Sequence, residues 1–288
     1  MDAALEIQGL RKEYKGFILK DISFRLDRGT IMGLVGPNGA GKTTIIKLIL
    51  NMIRRSAGTI EVFGLDNIAH EKAVKARIGF VHETPAMVED APLKNIKTAL
   101  APFYRSWDER LFRRLSAEFG LPLDKKFKAL SHGMKMKFQL ALALSHDADL
   151  LVLDEPTSGL DPVFRRELLE RLSGVIQDER KSVLFSTHIT SDLESTADTI
   201  TFINRGELVF SLPKDEVRET WAVVKGGREL GHGSLRGLFK GFRETPYGVE
   251  ALTSDVPAVR RAIRGGLVVD KASIEDIMIF MDSGASHV

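Results

Sequence analysis

The chain holds 288 residues, 43% hydrophobic and 28% charged, which is material for one large or two ordinary domains with a well-filled core. Its net charge of +2 is too small to argue for nucleic acid, and the lack of cysteine excludes disulfides and thiolate metal sites. No run approaches the roughly 20 apolar residues that span a bilayer, and the acidic start, Met1 to Leu10, does not read as a signal peptide, so any membrane role is expected through a partner.

Leu5 to Gly9, Phe17 to Leu26 and Thr59 to Phe63 alternate apolar with polar residues between turn signals, which predicts an antiparallel sheet. Ile31 to Val35, Leu150 to Leu153 and Val183 to Ser186 are apolar on successive positions, as strands buried on both faces of a parallel sheet are. The first of these runs straight into Gly36-Pro37-Asn38-Gly39-Ala40-Gly41-Lys42-Thr43-Thr44, ahead of a helical segment from Ile45. A glycine-rich loop between a buried strand and a helix turns its backbone N–H groups inward, beside the positive end of the helix dipole, and so cradles phosphate. In such a P-loop Lys42 reaches the outer phosphates and the Thr43 hydroxyl ligates Mg²⁺.

Leu93 to Gly120 and Ser131 to Leu144 have helical spacing and predict a helical insertion over about 90–145. Leu150 to Leu153 leads into Asp154-Glu155-Pro156. A carboxylate at the end of a buried strand facing a P-loop suits Mg²⁺, which assigns Asp154 to the metal, while Glu155 next to it orients and polarises the attacking water. A helix is expected from Pro162 to about Ile176, started by Asp161-Pro162 with proline at its first position. Asn204-Arg205-Gly206 between Thr199 to Phe202 and Glu207 to Phe210 predicts a hairpin. Beyond residue 212 the texture changes: glycines cluster, and Trp221 to Gly266 holds eight Lys/Arg against four Asp/Glu. A small appended α+β domain over 213–288 is expected there, with helices at Pro257 to Arg264 and Ser273 to Met281. Its basic excess could meet lipid headgroups or an acidic partner, but reads better as a solvated face.

Besides the P-loop, the chain holds in order Leu130-Ser131-His132-Gly133-Met134, then Leu150 to Pro156, then Ser158-Gly159-Leu160-Asp161 and Ser186-Thr187-His188. This set resembles the nucleotide-binding subunits of ABC transporters over about residues 4–212. Met134-Lys135-Met136-Lys137 after the signature, Ile78-Gly79-Phe80-Val81, Ala101-Pro102-Phe103-Tyr104 and the C-terminal appendage resemble a bacterial subfamily linked to peptide and antibiotic export or resistance. The resemblance implies an α/β P-loop NTPase core over 1–212, with an antiparallel β subdomain and a helical insertion, that binds ATP and Mg²⁺ and hydrolyses the ATP. It implies that Tyr14 stacks on adenine, that Ser131 and Gly133 bind the γ-phosphate of ATP held by a second copy or a relative, and that Asp161 runs across that interface. His188 is then the switch histidine on the γ-phosphate. Glu83 takes the usual glutamine's place towards Mg²⁺ or the water, unless the alignment slips by one and selects His82.

The signature of the family is usually Leu-Ser-Gly-Gly-Gln, so His132 and Met134 are departures. A β-carbon at 132 restricts the backbone, and methionine lacks the amide's hydrogen bonds, so nucleotide-driven closure is expected to be weakened or altered. The resemblance places the chain at the cytoplasmic face of the membrane, peripheral, driving a separate integral membrane subunit, with no nucleic-acid partner. The alternative is a soluble ABC-type ATPase acting on ribosome or DNA. A GTPase or small-molecule kinase fits less well, since the guanine-reading Asn-Lys-x-Asp is absent and neither explains Ser131-His132-Gly133 or His188.

Overall fold

A computed structural model describes residues 2–84, 87–231, 233–262 and 267–282. The chain divides into two units, Met1–Val209 and Phe210–Val288. In the first, an antiparallel sheet of order β2-β1-β4-β5 is built from β1 (Ala3–Tyr14), β2 (Phe17–Asp27), β4 (Ala57–Val62) and β5 (Leu65–Asp66). The strand expected to stop at Gly9 runs on to Tyr14, because Gly9 takes a φ of +58° inside a bulge and pairing with β2 resumes beyond it. Glycine punctuates a sequence, but paired backbone carries a strand through it.

The second sheet has the order β10-β9-β3-β8-β7-β6, from β3 (Ile31–Val35), β6 (Ile78–His82), β7 (Leu150–Asp154), β8 (Ser182–Thr187), β9 (Thr199–Asn204) and β10 (Glu207–Pro213). Strands β9, β3, β8, β7 and β6 pair in parallel. Every residue of β3, β7 and β8 is buried, as their unbroken apolar runs require. The hairpin turn between β9 and β10 is Arg205-Gly206, both at positive φ (49° and 77°), the geometry that matches strand twist. Leu5, Ile7, Ile22 and Phe24 of the antiparallel sheet share one buried cluster with Met32, Leu34, Val152 and Leu184 of the parallel sheet. Ile45, Ile46 and Ile49 of helix α1 (Lys42–Ile49) belong to the same cluster, so the helix that follows the P-loop is locked into the core by its apolar face.

After the short α2 (Glu71–Ala76) and β6 comes the helical insertion, which is more broken than its spacing suggests. Helix α3 (Leu93–Leu100) gives way to a 3-10 turn at Ala101–Phe103, where Pro102 has no N–H to donate, and α4 (Glu109–Glu118) restarts on the Asp108 cap. Helix α5 (His132–Leu144) then enters β7, α6 (Pro162–Val175) follows the Asp161 cap, and α7 (Thr190–Thr196) follows β8.

The expected domain boundary at 212 falls inside β10. The second unit holds α8 (Lys214–Thr220), then a sheet of order β12-β13-β11-β14 made of β11 (Ala222–Gly226), β12 (Gly241–Thr245), β13 (Gly248–Thr253) and β14 (Val268–Lys271). Helices α9 (Val256–Ala262) and α10 (Ile274–Asp282) stand where two helices are expected, and residues 263 and 264 at the end of the first lie outside the described residues. Helix α8 is an addition: seven residues starting after Pro213 are too few to show a periodicity. Val224, Leu230, Phe239, Val249, Ala251 and Val259 form this unit's own core.

Candidate active site

The P-loop is shaped by close approach and by an open helix end. A Cβ at Gly36 would lie 2.0 Å from the Ile203 carbonyl oxygen, so only glycine lets β3 leave the sheet against β9. Gly41 caps α1 at a φ of 117° and offers no side-chain acceptor to the first-turn N–H groups of Lys42, Thr43 and Thr44. Those donors face a cleft of about 720 Å³, lined by 38–44 together with Phe17, Glu83, Glu155, Ser158 and His188. Space, unpaired donors and a lysine in one place fit a polyphosphate.

Lys42 is buried, with Nζ donating to the Gly36 carbonyl at 2.7 Å and the Pro37 carbonyl at 3.3 Å. It also lies 3.4 Å from Glu155 Oε1. The other oxygen, Oε2, lies 2.7 Å from His188 Nδ1 and accepts from the His188 backbone N–H at 3.3 Å. Glu155 is thus held between the buried lysine and a half-exposed histidine, at a φ of 49° that non-glycine residues seldom adopt. Beside it, Asp154 ends β7 fully buried and accepts from Thr43 Oγ1 at 3.2 Å and Ser186 Oγ at 2.7 Å. Ser186 Oγ also receives the Glu155 backbone N–H at 2.9 Å, so one hydroxyl sets both acidic residues.

A hydroxyl and a carboxylate converging as hard oxygen donors fit Mg²⁺. No group of three or more His, Asp or Glu suited to a metal occurs among the described residues, so a cation here would complete its shell with phosphate oxygens and water. Glu83 is exposed on the cleft wall. His82 ends β6 directly opposite Asp154, its Nε2 3.9 Å from Asp154 Oδ2. Its Nδ1 accepts the Thr84 N–H at 2.9 Å, and Gln139 brackets its backbone N–H and carbonyl, each at 3.0 Å.

Ser131 caps α5, accepting from the Met134 N–H at 3.3 Å, and Gly133 lies in that helix's first turn. Asp161 caps α6 through the N–H groups of Val163 and Phe164. Ser131 and Asp161 are exposed, Gly133 is half-buried, and none of the three lines this chain's own cleft.

A model of the ABC transporter family matches residues 19–158. The ABC transporter ATP-binding protein YtrB of Bacillus subtilis is 30% identical over 77% of this chain and 76% of its own length. The chain belongs to the ATP-binding subunits of ABC transporters. The bacitracin transport ATP-binding protein BcrA of Bacillus licheniformis is 30% identical, covering 69% of this chain and 65% of that protein. A solved ATP-binding subunit of an ABC transporter superposes with a TM-score of 0.67 at 29% identity, covering 75% of this chain and 92% of that one. The activity is that of an ATPase, and the α/β P-loop fold is the family's.

Against that family pattern, the described structure adds residues that motif reading overlooks. Phe17 lines the cleft and its ring closes on Gly41, where an added Cβ would meet Phe17 Cζ at 3.1 Å. Tyr14 sits opposite Phe17 in the β1–β2 pair, 44% exposed, with Lys12 Nζ 5.0 Å from its ring centre, and is not among the residues lining the cleft. Nothing in the spacing marks Phe17, since it reads as the first residue of an alternating strand. Ser186 was visible as part of Ser186-Thr187-His188, but its bridge between Asp154 and Glu155 depends on β7 and β8 being neighbours.

Proposed function

We propose that this ATPase works as the motor of an exporter, two copies, or one copy and a relative, closing around two Mg-ATP and driving a separate integral membrane subunit at the cytoplasmic face. The observation that carries the reading is the Glu155 carboxylate, fixed between Lys42 and His188 at the strand end that also presents Asp154 to Thr43. Lys42 and the first-turn amides of α1 hold the phosphates. Thr43 and Asp154 would hold Mg²⁺, with Glu83 on the facing wall, and the ion supplies charge neutralisation of the phosphoryl oxygens. Glu155 accepts the proton of the attacking water, and His188 orients Glu155 and the terminal phosphate. Phe17 and Tyr14 offer aromatic faces to the base. Ser131 and Gly133 at the start of α5 and Asp161 at the start of α6 are turned to the second copy's nucleotide.

An antibiotic or peptide cargo is supported by the likeness to the bacitracin transport protein, and the export direction by a likeness, at 32% identity, to the Nod factor export ATP-binding protein I of Rhizobium johnstonii. No helix among the described residues is long and apolar enough to cross a membrane. The reading of a ribosome- or DNA-acting ATPase is not favoured, the relatives named above being transporter subunits. Sedimentation of the Glu155→Gln protein tests the two-copy cycle: dimers are expected at saturating Mg-ATP and monomers without nucleotide. Monomers in both conditions would sink it. Capture of an integral membrane protein with the affinity-purified chain from detergent-solubilised membranes tests the membrane partner, and its absence would count against that partner.

A further inference from the structure

The signature departs from its family pattern at His132, and the structure gives that imidazole a partner. His132 Nε2 lies 3.0 Å from the Ser158 carbonyl oxygen, and since a carbonyl only accepts, the ring donates. The ring's Cδ2 edge packs on Gly159, 3.5 Å from where a Cβ would stand, and a Cβ on Gly133 would meet Leu160 Cδ2 at 3.7 Å. The first turn of α5 therefore rests on residues 158–160. Those residues form a chain of tight turns: the Ser158 N–H donates to the Glu155 carbonyl at 3.2 Å and the Leu160 N–H to the Thr157 carbonyl at 3.3 Å. The upstream end is pinned by Thr157 Oγ1 on buried Asp192 at 2.6 Å, and the downstream end by Asp161 capping α6. His132 ties the middle of this turn to α5. A glycine at 132 would have no donor to offer there.

We propose that His132 is a positioning residue which, through the Ser158 carbonyl, sets the start of α5 and the turn 158–161 in one arrangement, so that both meet a second copy's nucleotide as a unit. This rests on the two-copy reading above. It also gives the departure from glycine a role, since ordering supplied by His132 offsets the amide contacts that Met134 cannot make.

Two measurements on the full chain separate the parts. Hydrogen exchange of the nucleotide-free monomer should show faster exchange across 157–161 in His132→Ala, by about fivefold for one net hydrogen bond lost, and recovery in His132→Gln, whose amide can donate. In a Glu155→Gln background, His132→Ala should weaken Mg-ATP-driven dimerisation by about fivefold while His132→Gln restores it, with single-subunit nucleotide affinity unchanged. Unaltered exchange in His132→Ala overturns the tie itself. Faster exchange with undiminished dimerisation overturns its link to the second copy. If the Glu155→Gln parent fails to dimerise, the two-copy reading falls and takes that link with it, while exchange still decides whether His132 holds the turn.

Discussion

Glu155 is the residue on which turnover should hinge. Its carboxylate is buried, gripped by Lys42 and His188, and carried on a backbone conformation that costs of order 1–3 kcal/mol. Glu155→Gln keeps the shape but cannot accept a proton, so ATP binding should persist while turnover falls by roughly 10² to 10⁴, read by steady-state hydrolysis beside equilibrium binding of a fluorescent nucleotide. Turnover near the parent's would remove Glu155 from the role. Ser186 makes a subtler case, because it is fully buried and does not line the cleft. Ser186→Ala leaves the buried Glu155 N–H without an acceptor and takes one of two donors from Asp154, which should cost about 1–3 kcal/mol in chemical denaturation. A loss well below that would mean that water fills the place of the hydroxyl.

At the scale of elements, α5 and the insertion meet the core through an unusual ring pair. His146, just past the end of α5, stacks on Tyr104 with ring centres 4.0 Å apart and an interplanar angle of 17°. Burial, aided by the charge on Lys181, pushes its pKa down from 6.5 to about 4, and its Nδ1 is buried without a hydrogen-bond partner. The fold therefore holds the neutral ring. The unfolded chain takes up this proton first as pH falls, so the contribution is fully present above pH 6.5 and lost on the way down through about 4. His146→Phe keeps a stacking surface and removes the titration. The stability difference between parent and variant should swing in favour of the variant between pH 6.5 and 4, measured by urea unfolding at each pH; a constant difference would count against this origin.

For the whole molecule, nucleotide is expected to act as a ligand of the folded state alone. At about 100 times its dissociation constant, Mg-ATP should add about 2.7 kcal/mol and raise Tm accordingly. Lys42→Ala, which removes the buried ammonium, should abolish most of that rise, measured from a nucleotide-free Tm that itself falls because the Gly36 carbonyl and the Glu155 carboxylate lose a buried partner. A full thermal shift in the variant would mean that the α1 amides bind the phosphates unaided.

Local signals were enough to locate the P-loop, the Asp154-Glu155 strand end, the capped start of α6 and the Arg205-Gly206 hairpin, because each depends on residues adjacent in the chain: glycine spacing, unbroken apolar runs, a cap, a turn at positive φ. Strand and helix limits were less legible, since a bulge at Gly9 extends β1 and Pro102 divides the insertion for reasons that pairing and backbone donors settle. The order of the parallel strands belongs to the tertiary structure alone. It sets Ser186 beside Asp154 and His82 opposite Asp154, while the packing of β2 and of α5 sets Phe17 over Gly41 and His132 against Ser158, contacts between residues 24 to 72 positions apart that no local pattern encodes. Sequence fixes which groups can do the chemistry because chemistry resides in side chains; only folding decides which of them touch, because distance along the chain carries no information about distance in space.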